Sequence, residues 1–401
     1  MENIKKIIAD TFNELANGLE TGRLGTAKVA VVGLGSEHGE ANVLEGAMLA
    51  ALTGLEVFYI GTREAFVEYA ESRGDKVDGD TWEGITLKET DCEDDAFKIM
   101  ESLLANGEAQ GAVAMHYPFP IGVSTVGRAK APANGKTMYI ATTTGTTSTD
   151  RVEAMILNTI SGIATAKACG NPNPTVGFLN LDGARQAESA MRQLQKQGYK
   201  FTFADSARAG GGPIMRGNDV LMGSPDVMVT DSLTGNVVIK MLAAATSGGK
   251  YETTGDGYGP GIGRDYDPLV LIISRASGAP LIANALAYAA ELARGNVQDV
   301  ARAEFEAAKK AGLDKLLDER KAAQKQGPAE EEVKCPEKEV VTYQIAGIEV
   351  MDLEYAVQQL WKADIYAESG MGCTGPIIRV SEEKAEKAEA ILHEAGYLGD
   401  E

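Results

Sequence analysis

A chain of 401 residues with 44% apolar composition is long enough for two or three packed domains, which excludes a short disulfide scaffold or a disordered tail. Its 38 basic and 58 acidic side chains leave a net charge of −20, a field that repels phosphodiester backbones and anionic lipid headgroups, so neither nucleic acid nor a membrane is an expected partner. No run approaches the roughly 20 apolar residues that cross a bilayer, the opening MENIKKIIADTFNEL mixes acids into its apolar positions as a secretory signal does not, and Cys92, Cys169, Cys335 and Cys373 lack metal-site spacing, so a cytoplasmic protein without a metal centre is expected.

Residues 2–21 place Ile4, Ile7, Ile8, Phe12, Leu15 and Leu19 at spacings of three and four, which predicts an amphipathic N-terminal helix within 1–26. Short β-branched runs follow at 27–33, 55–61, 111–115, 136–141, 174–181, 226–231 and 268–274, and each reads as a strand. Alanine-rich stretches at 41–53, 93–106, 151–168, 184–197, 234–246 and 279–294 read as the helices between them. Continuous apolar strands joined by helices predict a doubly wound α/β fold with a largely parallel sheet, here over 27–310. A long charged helix is expected over 298–326, so that 311–340 holds its end and a solvated linker, GPAEEEVKCPEKEV. The apolar pattern resumes in a small C-terminal α+β module over 341–401.

Ligands of such sheets sit at the carboxyl ends of the strands, and the candidate residues lie there. VVGLGSEHGEANVLEGA (31–47) runs from a strand through a glycine turn into a helix, where backbone N–H groups favour an anion. Its Gly33, Gly35 and Gly39 are one residue too widely spaced for a dinucleotide fingerprint, which argues against a nicotinamide site. ATTTGTTSTDRVEAM (141–155) repeats the device with Gly145, Thr146 and a Ser148 or Thr149 cap. In DSLTGNVVIKM (231–241), Asp231, Gly235 and Asn236 lie between a strand end and the first turn of the next helix. Arg216, Arg264 and Arg275 follow glycine-rich or strand-terminal segments and could give a phosphate its bidentate partner. His38 lies inside the first glycine turn, and His116 follows the GAVAM strand; a structural histidine is the competing reading of each.

The cysteines differ by context. Cys92 is embedded in carboxylates, Cys169 closes a small-residue helix, and Cys335 lies in the charged linker. Cys373, in SGMGCTGP (369–376), is flanked by glycines that let backbone N–H groups approach a thioester carbonyl. It is the candidate catalytic thiol, and a cysteine that merely fits a tight turn is the alternative.

VLEGA (43–47), NPTVGFLNL (173–181), RGNDVLMGSPDVMVTDSLTGNVVIK (216–240) and SGAPL (277–281) together resemble the phosphate acyltransferases of phospholipid synthesis and, more distantly, phosphotransacetylase. That resemblance implies the two-domain fold of isopropylmalate dehydrogenases and acyl transfer to inorganic phosphate, with Gly33, Gly35, His38, His116, Gly145, Thr146, Arg216, Asp231, Gly235, Asn236 and Arg275 as candidate phosphate-site residues. The ending ESGMGCTGPIIRVSEEKAEKAEAIL, and with it essentially the whole chain, resembles the alpha subunit of protein C of the glycine/sarcosine/betaine reductase complex. This implies that acetyl phosphate is released from an acetyl thioester, with Cys373 as the thiol. It also implies a beta subunit resembling ketoacyl synthases, the selenoprotein A of the complex, phosphate as substrate rather than cofactor, and an oligomer. The competing expectations are an acyltransferase that uses a free carrier thiol and a non-catalytic scaffold subunit; a dehydrogenase fits the glycine spacing worse.

Overall fold

The computed structural model describes residues 27–77, 79–208, 211–325, 333, 335–348, 352–372 and 375–398. The chain divides into two compact units after Leu313. The expected helix of 1–26 and the thiol Cys373 lie outside the described residues.

The strands of the first unit are β1 (Lys28–Val32), β2 (Glu56–Gly61), β3 (Thr81–Trp82), β4 (Ile85–Glu89), β5 (Gly111–Ala114), β6 (Val123–Lys130), β7 (Thr137–Thr146), β8 (Thr175–Leu179), β9 (Thr202–Phe203), β10 (Ile214–Met215), β11 (Val227–Val229), β12 (Gly259–Gly263) and β13 (Val270–Ile272). Its helices are α1 (Glu40–Ala51), α2 (Arg63–Ser72), α3 (Glu93–Ala105), α4 (Arg151–Ala168), α5 (Ala184–Lys196), α6 (Gly217–Met222), α7 (Ser232–Ala244), α8 (Ala279–Arg294) and α9 (Val297–Lys310). All thirteen strands join one sheet in the order β10-β8-β11-β7-β6-β12-β13-β5-β1-β2-β4-β3, with β9 beside β8.

Two parallel halves make up this sheet. β13, β5, β1, β2 and β4 run parallel in one, and β10, β8, β11 and β7 in the other. They meet through antiparallel strands: β6 pairs with β7 on one side and β12 on the other, and β12 continues onto β13. Helices cover both faces. Ala96, Met100 and Leu103 of α3 pack on Ala30, Val32, Ala112 and Ala114, while Val220 of α6 and Ile239 of α7 pack on Met138, Ile140 and Met228. The central β-branched strands are sealed from water on both sides, which explains their continuous apolar sequence. The result is the doubly wound, two-lobed α/β arrangement that the sequence predicts.

Two helices replace the single charged helix expected over 298–326. α9 stops at Lys310, and α10 (Leu313–Lys325) begins after Gly312, whose φ of +93° is the left-handed geometry that ends a helix. The second unit also contains β14 (Tyr343–Ala346), α11 (Leu353–Lys362), β15 (Ala367–Gly372), β16 (Gly375–Val380) and α12 (Ala385–Glu394). Its three strands form an antiparallel sheet in the order β14-β16-β15. Ile345, Ile378 and Val380 of that sheet, Val357 and Leu360 of α11, and Ala388 and Leu392 of α12 make a core of their own. The β15–β16 ladder extends to the Gly372–Gly375 pair, and Cys373 and Thr374 connect the two strands in sequence.

Candidate active site

β7 ends in a run of hydroxyls, and most of them face inward. The Thr142 hydroxyl donates to the Thr125 carbonyl at 2.7 Å and lies 2.9 Å from that of Thr144, while the Thr143 hydroxyl donates to the Tyr258 carbonyl at 2.6 Å. The Thr125 hydroxyl completes the chain by donating to Thr143 Oγ1 at 2.6 Å. Ser124 and Thr147 both donate to Asn158 Oδ1 of α4, each at 2.8 Å. Buried hydroxyls are tolerated when each finds a partner, and this lattice ties β6, β7, β12 and α4 into one rigid base. Only Thr144, Gly145 and Thr146 are left to look outward.

Gly145 has φ +86°, and a Cβ there would stand 2.6 Å from the Val123 carbonyl oxygen, so both conformation and space require glycine. Thr146 follows, exposed, its carbonyl accepting from Gly122 N at 2.9 Å. Across from this edge runs the segment after β5. Met115, His116, Tyr117, Phe119, Pro120 and Ile121 form one wall of a cleft of about 340 Å³, and Thr144, Gly145, Thr146 and Asn236 form the other, with Tyr258 and Ile272 at its base. Asn236 Nδ2 donates to the Thr143 carbonyl at 3.2 Å, which fixes the amide at the cleft edge. α7 starts at Ser232 rather than near 234, so Asn236 stands one turn inside the helix instead of in its first turn.

Among the described residues, the cleft lining holds no Lys, Arg, Asp or Glu. Burial, and then the hydrogen bond to Glu101, push the Tyr117 phenol up to about 12, and it donates to that carboxylate at 2.8 Å. The Tyr258 phenol is also raised, chiefly by burial, with Lys240 and Ser274 opposing; it lies 3.2 Å from Glu252. Both phenols therefore stay protonated and uncharged at neutral pH.

A second cavity of about 240 Å³ shares Gly145 and Thr146 and adds Thr147, Ser148, Thr149, Arg151, Asn158, Thr230, Asp231 and Ser232. Asp150, not Ser148 or Thr149, caps α4, accepting from Glu153 N at 2.7 Å, and Asp231 caps α7, accepting from Thr234 N at 2.7 Å. Gly235 stands against β7, where an added Cβ would lie 1.8 Å from the Thr142 carbonyl oxygen. Arg151 is a cation that the sequence reading passed over, although it stands in the quoted 141–155 stretch; it pairs with Asp182 at 3.5 Å.

The structure thus brings His116, Gly145, Thr146 and Asn236 together, with Gly235 behind them and Asp231 in the adjoining cavity. Gly33, Gly35, His38 and Arg275 gather instead at the carboxyl end of β1 and do not line the cleft. Glu37 N donates to the Arg275 carbonyl at 2.9 Å, Arg275 pairs with Glu93 at 3.5 Å, and the His38 ring meets Tyr251 edge-on at 5.6 Å. Arg216 is exposed at the start of α6, its backbone N–H donating to Asp219. Among the cysteines, burial pushes the Cys169 thiol up to about 11, so it is not a thiolate at neutral pH, and Cys92 and Cys335 are exposed. Among the described residues, no group of three or more His, Cys, Asp or Glu side chains could hold a metal ion, and no helix is long and apolar enough to cross a membrane.

Comparison with known proteins gives this geometry a family. The fatty acid synthesis protein family matches residues 27–379. Over 401 residues the chain is 52% identical to the glycine/sarcosine/betaine reductase complex component C subunit alpha of Peptoclostridium acidaminophilum, covering 99% of this chain and 100% of that one. The chain belongs to this alpha-subunit family. It is also 25% identical to a phosphate acyltransferase of Thermus thermophilus, over 53% of this chain and 70% of that one. Among solved structures it is similar to a branched-chain phosphotransacylase from Enterococcus faecalis, with 17% identity and a TM-score of 0.43, over 67% of this chain and 99% of that one.

Proposed function

We propose that this chain is the acyltransferase subunit of a glycine, sarcosine or betaine reductase complex, moving an acetyl group from a thioester on Cys373 to inorganic phosphate. The observation that carries the reading is the cleft in which His116, Gly145, Thr146 and Asn236 meet an apolar wall. A hydroxyl, an amide and a backbone turn offer neutral donors to an anion and to the oxyanion of a tetrahedral intermediate, while Met115, Phe119 and Ile272 exclude water from a short acyl chain. Relatives named for a reductase component and for phosphate acyltransferases support the same chemistry.

In the reaction, an oxygen of hydrogen phosphate attacks the thioester carbonyl, forming a C–O bond. The tetrahedral intermediate collapses, the C–S bond breaks, and the electron pair leaves on sulfur. The phosphate proton ends on the thiolate sulfur, and the His116 imidazole, which lines the cleft, is the group proposed to take that proton from phosphate. Phosphate is ionised at neutral pH and the thioester is activated, so the step requires no metal or cofactor. The two-carbon unit reaches the thiol from the selenoprotein A, by way of a beta subunit resembling ketoacyl synthases, in the cytoplasm.

Arsenate should replace phosphate and turn the complex into an acetyl phosphate-consuming hydrolase. Cys373→Ser should abolish acetyl incorporation with folding intact, and Cys335→Ser should change neither. Full activity in both variants, or no arsenolysis, overturns the reading. The likeness to phosphate acyltransferases over half the chain favours a second reading, in which a free carrier thiol such as coenzyme A is the acyl donor and Cys373 is incidental; a rate that depends on coenzyme A identifies it.

A further inference from the structure

A third cavity, of about 590 Å³, is larger than the cleft and the cavity beside it and lies at the opposite ends of the strands. Pro174 stands just before β8 and Thr202 opens β9, and both strands run parallel to β11 and β7. The third cavity is therefore at the amino ends of these strands, whereas Thr144, Gly145 and Thr146 close β7 at its carboxyl end. α4 reaches both places: Met155 lines the cavity beside the cleft, and Lys167, roughly 18 Å further along the helix, lines this one.

The walls combine an apolar body with a cationic rim. Ile163 and Tyr199 are buried, and the Tyr199 hydroxyl is committed outside the cavity lining, donating to Glu304 of α9 at 2.9 Å. Phe201 meets Tyr199 and Phe203 at ring-centroid distances of 5.6 and 4.8 Å and is still only half-buried, so part of its ring remains for a further apolar contact beside Pro172 and Pro174. The Gln195 amide donates to the Phe201 carbonyl at 2.9 Å and pins that segment. Two lysines line the cavity and, among the described residues, no Asp or Glu does, on a chain of net charge −20. Glu304 neutralises Lys167 at 2.5 Å, but Lys200, exposed, has no acidic partner among the described residues. Asn173 and Thr202, also exposed, add neutral donors at the same rim.

We propose that this cavity is a binding site for a purine nucleotide. The base packs on the Phe201 ring and the proline pair, as bases stack on aromatic side chains, and the phosphate meets the Lys200 ammonium with Asn173 and Thr202 as further donors. A lone inorganic anion leaves the apolar wall and most of the volume unused, and an uncharged ring leaves Lys200 unpaired; a ring that carries a phosphate answers both. The lining contains no His, Cys, Asp or Glu among the described residues, so the site binds without the acid, base or nucleophile of a second reaction centre. This inference does not depend on the acyl-transfer reading.

Titration calorimetry of the full chain with AMP at low ionic strength should give a dissociation constant of about 0.1 mM or tighter, with adenosine and inorganic phosphate each at least about tenfold weaker. Lys200→Glu, an exposed substitution that leaves the fold intact by circular dichroism, should weaken AMP by about tenfold or more, and Asn236→Ala, in the cleft, should leave it unchanged. Photolabelling with 8-azido-AMP should place the adduct on Tyr199 or Phe201, a readout that needs no variant. No binding at about 5 mM AMP overturns the proposal, as does phosphate that binds as tightly as AMP. Affinity that Lys200→Glu leaves intact or Asn236→Ala removes, or a label mapped to residues outside the cavity, overturns it as well.

Discussion

At the scale of single residues, the cleft depends on how closely backbone can approach backbone. Gly235 is a candidate anion contact in the sequence, but its evident role is to let α7 press on β7: the Thr142 carbonyl oxygen sits 1.8 Å from where a Cβ would be, and the Thr230 hydroxyl 2.7 Å. Neither can yield without disturbing the hydroxyl lattice, since Thr230 Oγ1 is itself 3.0 Å from that carbonyl. Gly235→Ala is therefore expected to lift the first turns of α7 and to cost roughly 1–3 kcal/mol in urea unfolding, the usual range for overpacking. The displaced helix carries Asn236, so in the acyl-transfer reading proposed above the KM for phosphate should rise as stability falls. Asn236→Ala, which removes the amide but no packing, should raise KM with little loss of stability. If Gly235→Ala unfolds like the wild type, the close contact is not what holds the helix.

At the scale of elements, a buried carboxylate organises the edge of the second sheet half. Asp219, in α6, accepts from the Ser206 hydroxyl, Ala207 N, Arg216 N and the Ser224 hydroxyl at 2.7–2.8 Å. Burial alone would push its carboxyl up, but the two backbone N–H groups and two hydroxyls outweigh burial and hold it below the usual carboxylate range. A group with a depressed folded pKa stabilises above its unfolded value, near pH 4, and that stabilisation is lost as pH falls through the folded value. Asp219→Asn should cost about 2–3 kcal/mol near neutral pH, because hydrogen bonds to a charged group are lost and an amide replaces an acceptor. The gap between wild type and variant should stay constant above about pH 5 and close below about pH 4. A gap unchanged by acid would mean that the charge is not what the four donors need. Such elements are hard to read in a sequence because their reward is polar and non-local. The β-branched runs at β1, β2, β5, β7, β8, β11 and β13 were legible, whereas β12 is GPGIG, residues depleted in strands, and it pairs only because two neighbours hold it in place. With β12 unread, Tyr258 just before it was also out of sight, whereas Ile272 lies in the legible β13. His116 and Asn236 were legible because they follow strand ends in a sheet whose direction the sequence predicts, whereas Gly145 and Thr146, expected in a turn after a strand ending at 141, are the last residues of a β7 that runs on to Thr146.

At the scale of the whole molecule, the reading proposed above asks an acidic chain to attract an anion to a cleft whose described lining holds no Lys or Arg. The net charge is −20, while among the described residues the polar groups that line the cleft are His116, hydroxyls, an amide and backbone. Neutral donors act at contact distance and a net negative field acts beyond it, so in that reading long-range electrostatics would oppose the approach of phosphate while short-range hydrogen bonds would favour its residence. Salt shortens the reach of the field from about 30 Å at 0.01 M to about 8 Å at 0.15 M and leaves the contacts nearly untouched. In the reading proposed above, kcat/KM for phosphate should therefore rise, by about twofold or more, between those ionic strengths, with an inert salt whose anion is too large to enter the cleft. An ordinary cationic phosphate site behaves in the opposite way, since its attraction is what the salt screens. A fall in kcat/KM over the same range would show that a basic group outside the cleft steers the substrate, and Arg151→Gln, in the adjoining cavity, would then be the variant to abolish that fall.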